Sequence, residues 1–190
     1  MARPAKPVGR PRQAGMVHSV PRWQFRASEK RGGAVGKTKV GKGSKVMVIA
    51  DGQGLPIGLH VDSARPHESQ LAEPTLATVR VPQLRGRPRT RPKELVADKA
   101  YDSRGFRHSL RRRGIKPTIP TFARRPRQCP KRGRPIRTGP NYRHRWKVER
   151  CFAWMDNCRR LVVRYERSAE HYKAFCLMAI ILWSVNLILK

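Results

Sequence analysis

The chain has 190 residues, with 43 Lys and Arg against 12 Asp and Glu, for a formal net charge of +31. About one domain fits in that length, and so strong an excess of cations makes a polyanion, nucleic acid first, the natural partner. A hydrophobic content of 38% with four Trp excludes a wholly disordered tail, and four Cys without a Cys-x-x-Cys pair argue against a zinc ribbon or a disulfide-stapled secreted fold.

In chain order, residues 1–28 carry four prolines among scattered Arg and read as a basic disordered arm with no apolar signal region. Val46 to Ala50, the turn residues Asp51-Gly52-Gln53-Gly54, and Leu55 to Val61 predict a β-hairpin. A helix is expected over about 68–78, with Leu71 and Leu76 available for a core. After the basic, proline-rich segment 82–92, Glu94 to Ala97 reads as a brief buried strand ending at Asp98. A helix over about 103–113 follows, stopped by Gly114, with Asp102 as its expected N-cap, and then a strand over 116–119. Strand, helix and strand at this spacing predict parallel pairing in an α/β sheet.

Residues 120–140 hold five prolines and read as a mobile basic loop. A helix is expected from Tyr142 to about Asn157, and a last one from Ser168 to Leu189, apolar on nearly every face. Such a helix has to be covered by the sheet or by a partner. Its apolar stretch of 16 residues, 174–189, falls short of the roughly 20 that span a bilayer, so no membrane partner is expected. Charge is blocked along the chain: residues 80–147 hold 23 basic and three acidic residues, the expected ground for polyanion contact.

Two constellations bear on chemistry. Tyr142, Arg145 and Glu149 are spaced to share one helix face, where a carboxylate beside an Arg can serve a metal that holds phosphate oxygens. The plainer alternative is an i, i+4 ion pair between Arg145 and Glu149. Asp98 lies where an apolar strand meets a loop, the place where open α/β sheets bind ligands. Asp51 reads as turn chemistry. Arg85-Gly86-Arg87-Pro88 and Arg132-Gly133-Arg134-Pro135 fit either a minor-groove hook or a solvated basic loop. Trp146, Trp154 and Trp183 are expected to pack rather than to stack on bases, and the histidines lack ligand spacing for zinc.

The segments GKTKVGKGSKVMVIADGQGLPIGLHVDSARPHES, ELVADKAYDS and YRHRWKVERCFAWMDNCRRLVVRYERSAEHY together resemble the DDE transposases of bacterial insertion sequences, the branch of families four and five, over about residues 29–190. The resemblance implies an RNase H-like catalytic core of the retroviral-integrase type, in which three carboxylates hold two Mg²⁺ or Mn²⁺ ions for cleavage and transfer of DNA strands. It assigns catalytic and metal-ligating roles to Asp98 and Glu149. It places Tyr142, Arg145, Lys147, Arg150, Arg159, Arg160 and Lys99 against DNA. It further implies double-stranded DNA (the element's terminal inverted repeats and its target) as partner, with a homodimer left open, and a bacterial, cytoplasmic, nucleoid-associated location.

Where the family carries its first Asp, this chain reads Pro21-Arg22-Trp23-Gln24-Phe25, and Asp156 stands where many members have Lys or Arg. The core is therefore expected to be incomplete at the N-terminus, truncated upstream, with residues 29–190 a partial transposase domain ending in an apolar helix. The alternative function is a non-catalytic basic DNA-binding remnant or regulator of transposition.

Overall fold

The structure, a computed structural model, describes residues 18–29, 31–121 and 139–189. Its centre is a strand that the sequence reading assigned to the arm: β1, His18–Ser28, pairs antiparallel with β3, Gly41–Ala50, from Val20↔Ala50 to Ala27↔Gly43. The arm expected over residues 1–28 is thus corrected over its last 11 residues, and residues 1–17 lie outside those described. From Arg22 to Ala27 the chain alternates Arg, Gln and Arg with Trp, Phe and Ala, a period of two that satisfies a strand whose faces meet different layers. Pro21 offers no N–H, and the second ladder on β1 covers only His18 and Ser19 before it.

β3 runs through a hairpin into β4, Pro56–Ser63, as the turn residues predict, and the short β2, Gly36–Thr38, shares its outer edge. Asp51 closes that hairpin turn, with Oδ1 accepting from the N–H groups of Gln53 (2.8 Å) and Leu55 (2.9 Å). After α1, Glu68–Ala77, the chain returns as β5, Glu94–Val96, parallel to β1. Helix α2, Arg104–Arg112, then leads to β6, Lys116–Thr118, parallel to β5. The N-cap of α2 is Ser103, whose side chain accepts from Phe106 N–H at 3.1 Å. Asp102, the expected cap, instead accepts from Arg107 Nε at 2.7 Å.

Residues 122–138, most of the predicted basic loop with its second Arg-Gly-Arg-Pro, lie outside the described residues. The helix expected from Tyr142 is a 3₁₀ turn over Pro140–Arg145 continuing into α3, Trp146–Asp156. A short α4, Arg159–Val162, and β7, Val163–Arg164, which pairs with the end of β1, precede α5, Ala169–Leu189.

The sheet separates two apolar layers. Val46, Val48, Ala50 and Val96 face α3 and α5, meeting Val148, Cys151, Phe152, Met155, Tyr172, Cys176 and Trp183. Met47, Ile49, Leu95 and Ala97 face α1 and α2, meeting Leu71, Leu76, Phe106 and Leu110. The alternation along β3 and β5 is what a doubly covered sheet requires. Helix α5 buries Tyr172, Cys176, Ala179, Ile180 and Trp183 and leaves Leu177, Met178, Ile181, Leu182 and Val185 exposed, so the sheet side covers only half of it. Among the described residues no helix is long and apolar enough to cross a membrane.

One buried cation ties the layer together. Arg164 is fully buried and donates to the carbonyls of Gly33, Ala34, Glu166 and Arg167 and to Ser44 Oγ, pinning the loop before β2 to the start of α5.

Candidate functional site

The C-terminal end of β5 hands the chain to a 3₁₀ turn, Lys99–Tyr101, and Asp98 stands at that junction with no capping hydrogen bond from its side chain. Its carboxylate turns toward α3. The register His18↔Glu94 and Ser19↔Leu95, carried four residues along both parallel strands, sets Arg22 beside Asp98. Arg22 Nη1 donates to Asp98 Oδ2 at 3.2 Å and lies 3.2 Å from Glu149 Oε1. One guanidinium therefore bridges the two acids that the sequence singled out.

Arg145 completes the group. Its Nη1 donates to Asp98 Oδ1 and, at 2.6 Å, to Tyr142 Oη, while its guanidinium lies 5.0 Å from the centre of the Tyr142 ring. In a 3₁₀ turn residues i and i+3 eclipse, so the 3₁₀ form of Pro140–Arg145 stacks Arg145 on Tyr142 where an α-helix would splay them. The expected i, i+4 pair between Arg145 and Glu149 does not form. Each turns instead to a group far away in sequence. Asn141 Nδ2 donates to Glu94 Oε2 at 2.8 Å and anchors this turn to the start of β5.

All four charged groups stay in reach of water: the side chains of Arg22, Asp98, Arg145 and Glu149 are 38%, 29%, 31% and 47% exposed. Two carboxylates and two guanidiniums cancel, in a surface that is otherwise strongly cationic.

The other residues expected against DNA have mixed placements. Lys99 is exposed beside Asp98. Arg150 is exposed and stacks 4.8 Å from the ring centre of Trp146. Trp146 is itself nearly half exposed, which corrects the packing role expected of it, whereas Trp154 and Trp183 do pack together, 5.9 Å between centres. Lys147 turns away, its Nζ donating to Gly52 O in the β3–β4 hairpin. Arg160 pairs with Glu166 at 3.0 Å and covers the ring of Phe175, a packing role, while Arg159 is exposed. Asp156 accepts from Arg26 Nη1 at 2.5 Å and from Gln24 Nε2 at 3.2 Å, so β1 meets α3 through a second cation-to-acid contact.

Sequence reasoning missed Arg22 and Glu68. The signal for Arg22 was the period of two over 22–27. Glu68, at the first turn of α1, is near enough to Asp98 and Arg22 to feel both charges, and its carboxyl is held above the ordinary range chiefly by burial. Burial also pushes the Cys151 thiol up to about 12, which fits a packing residue rather than a nucleophile. The first Arg-Gly-Arg-Pro sits in a loop whose ends are clasped by paired hydrogen bonds between Val81 and Arg89 (2.8 and 2.9 Å). Gly86 at φ +89° turns its tip, with Arg85 and Arg87 exposed.

Two divalent ions, roughly 3.5–4 Å apart in sites of this chemistry, need several carboxylate oxygens free to ligate and bridge them. Here a fixed positive group already lies between Asp98 and Glu149, and the second oxygen of Asp98 is taken by Arg145. Among the described residues no three His, Cys, Asp or Glu side chains come together as a ligand set. Asp51, the remaining acid considered at sequence level, is committed to its turn. The donor set does not fit a two-ion site.

Comparison with known proteins agrees on the lineage. A family model described as the transposase DDE domain matches residues 11–184, beginning upstream of residue 29. A Burkholderia cepacia protein named as a transposase for insertion sequence element IS402 is 36% identical over 134 residues. That match covers 70% of this chain and 58% of the relative, so the chain spans well under two thirds of the relative's length. The piggyBac transposase, solved in a synaptic complex with hairpin DNA, shares the fold with a TM-score of 0.52 at 11% identity, over 86% of this chain and 45% of that one. The match over most of its length places the chain in the family of transposase DDE domains.

Proposed function

We propose that this chain acts in DNA transposition as a DNA-binding protein built on the RNase H-like core of an insertion-sequence transposase. It holds double-stranded DNA across the open end of the β5 strand and does not itself cleave it. The bridging of Asp98 and Glu149 by Arg22 carries this reading. In the family the pair marks the place of metal-dependent strand chemistry, and the sheet order, with β1 central, antiparallel to β3 and parallel to β5, supports the same core. Here the position that would extend the acid set holds a cation.

The remaining residues serve the DNA backbone. Lys99 and Arg150 are exposed cations on the elements that carry the pair, Arg159 is an exposed cation on α4, and Arg145 is set by Tyr142 with its guanidinium partly exposed. Trp146, half exposed under Arg150, offers a flat apolar wall beside those charges. Phosphate contacts of this kind give affinity without sequence reading and release counterions on binding. The test is the affinity of the full chain for duplex DNA, read by fluorescence anisotropy across a salt series. A steep negative slope of log affinity against log salt is expected; a slope near zero would overturn the reading.

A further inference from the structure

We propose that Arg22 is the resident cation of the site: its guanidinium takes the place of a divalent ion between Asp98 and Glu149 and presents a phosphate-binding edge of its own. This rests on the reading of the chain as a DNA-binding protein. All the contacts that Arg22 makes with described residues engage Nη1, which faces both acids at 3.2 Å. Among the described residues Nε and Nη2 meet no partner, on a side chain more than one third exposed. Those two N–H groups form the side of the fork that grips a phosphate or carboxylate with two parallel hydrogen bonds. The acids hold one edge of the guanidinium and orient the other.

A divalent ion between two carboxylates cancels their charge and keeps open coordination positions for a phosphate oxygen. Arg22 and Arg145 together supply two positive charges against the two acids, and the planar fork replaces the ion's open coordination positions. The substitution has a consequence for ions. An incoming Mn²⁺ has to displace Arg22 from both acids and Arg145 from one, against the repulsion of two cations a few Å away. The wild-type site therefore binds phosphate without metal and resists divalent ions.

Replacing Arg22 by Asp reverses both properties. R22D removes the bridging cation and puts a third carboxylate on β1, at the position that the parallel register carries beside Asp98. Mn²⁺ uptake by the full chain is measured by calorimetry without DNA, for wild type, R22D and R22D/D98N, with thermal melts confirming that each is folded. R22D is expected to bind Mn²⁺ at least about tenfold more tightly than wild type, with the gain lost in R22D/D98N. In parallel, duplex affinity of the wild type is expected to be the same in EDTA and in Mn²⁺ at matched ionic strength.

Mn²⁺ binding by wild type that D98N abolishes overturns the proposal, as does a folded R22D that gains none. A wild type whose duplex affinity rises with Mn²⁺ also overturns it. Should the chain show no salt-dependent affinity for DNA, the DNA-binding reading fails while the calorimetry still decides whether Arg22 holds the site against metal. R22Q supplies the neutral control: it loses duplex affinity in EDTA and gains less for Mn²⁺ than R22D.

Discussion

Replacing Asp156 by Ala tests whether β1 is welded to α3 as described. Arg26 points from β1 into the α3 side with its side chain 2% exposed, and Asp156 supplies its carboxylate at 2.5 Å. Among the described residues the guanidinium without Asp156 keeps only Gln24 Oε1, at 2.8 Å, and its Nε has no partner even in the wild type. Removing one member of a buried ion pair costs about 3–5 kcal/mol because it strands the other charge. Asp156 is 41% exposed, so water enters the gap and screens part of that loss, which brings the expectation to about 2 kcal/mol. At this chain length the melting temperature should fall by about 4–8 °C. In the double variant R26M/D156A an apolar chain replaces the stranded charge and should recover most of the loss. Differential scanning calorimetry reads both. A D156A melt within about 1 °C of wild type, or a double variant less stable than D156A alone, would refute the reasoning.

Arg164 gives a second stability prediction: R164K keeps the charge but cannot span five acceptors. Each carbonyl left unmatched costs about 1–3 kcal/mol, so a loss of at least about 2 kcal/mol is expected by denaturant unfolding. Removing Arg85 and Arg87 from the clasped loop should lower the salt slope of duplex affinity by about 0.9 per lost phosphate contact, close to 1.8 for R85A/R87A; an unchanged slope excludes the loop from the interface. Glu68 titrates above its ordinary value near 4.5, chiefly through burial. Stability from its protonated form is present below the unfolded value and lost as pH rises through the folded one. E68Q should therefore melt higher than wild type at pH 7, with the difference closing below pH 4.5, and an equal melt at pH 7 would show that burial of Glu68 carries no penalty.

Much of the fold was legible because local chemistry and global position agree. The hairpin around Asp51, the strand ending at Asp98 and the helix closed by Gly114 follow from turn residues and apolar spacing, and the structure puts their ends within a residue or two of the expected places, except that β3 begins five residues early, at Gly41. β1 was not legible by the same signals. Its inward side chains toward α3 are Arg22, Gln24 and Arg26, satisfied by acids 76 to 132 residues away, so charge pairing did the work usually done by apolar residues. A reading by hydrophobicity sees a basic arm. Arg145 and Glu149 were found from their spacing, yet their partners were not, since spacing along one helix says nothing of a strand 76 residues before Asp98. Trp146 differs for the opposite reason: apolar spacing predicts a core residue, whereas the side chain stands outside under Arg150.

Asp156 and Arg22 belong together in this account. The structure pairs Arg22 with Glu149 and Asp156 with Arg26 along one strand and one helix. The contact between β1 and α3 is thus held by opposite charges on both turns of α3 that face the strand.

The most direct measurement is the fate of duplex DNA carrying insertion-sequence ends, incubated with the full chain and Mg²⁺ or Mn²⁺ and resolved on a denaturing gel. Binding should be retained with no metal-dependent nick or joined product, because Arg22 stands between Asp98 and Glu149. Metal-dependent nicking by wild type that disappears in D98A/E149A would contradict the account.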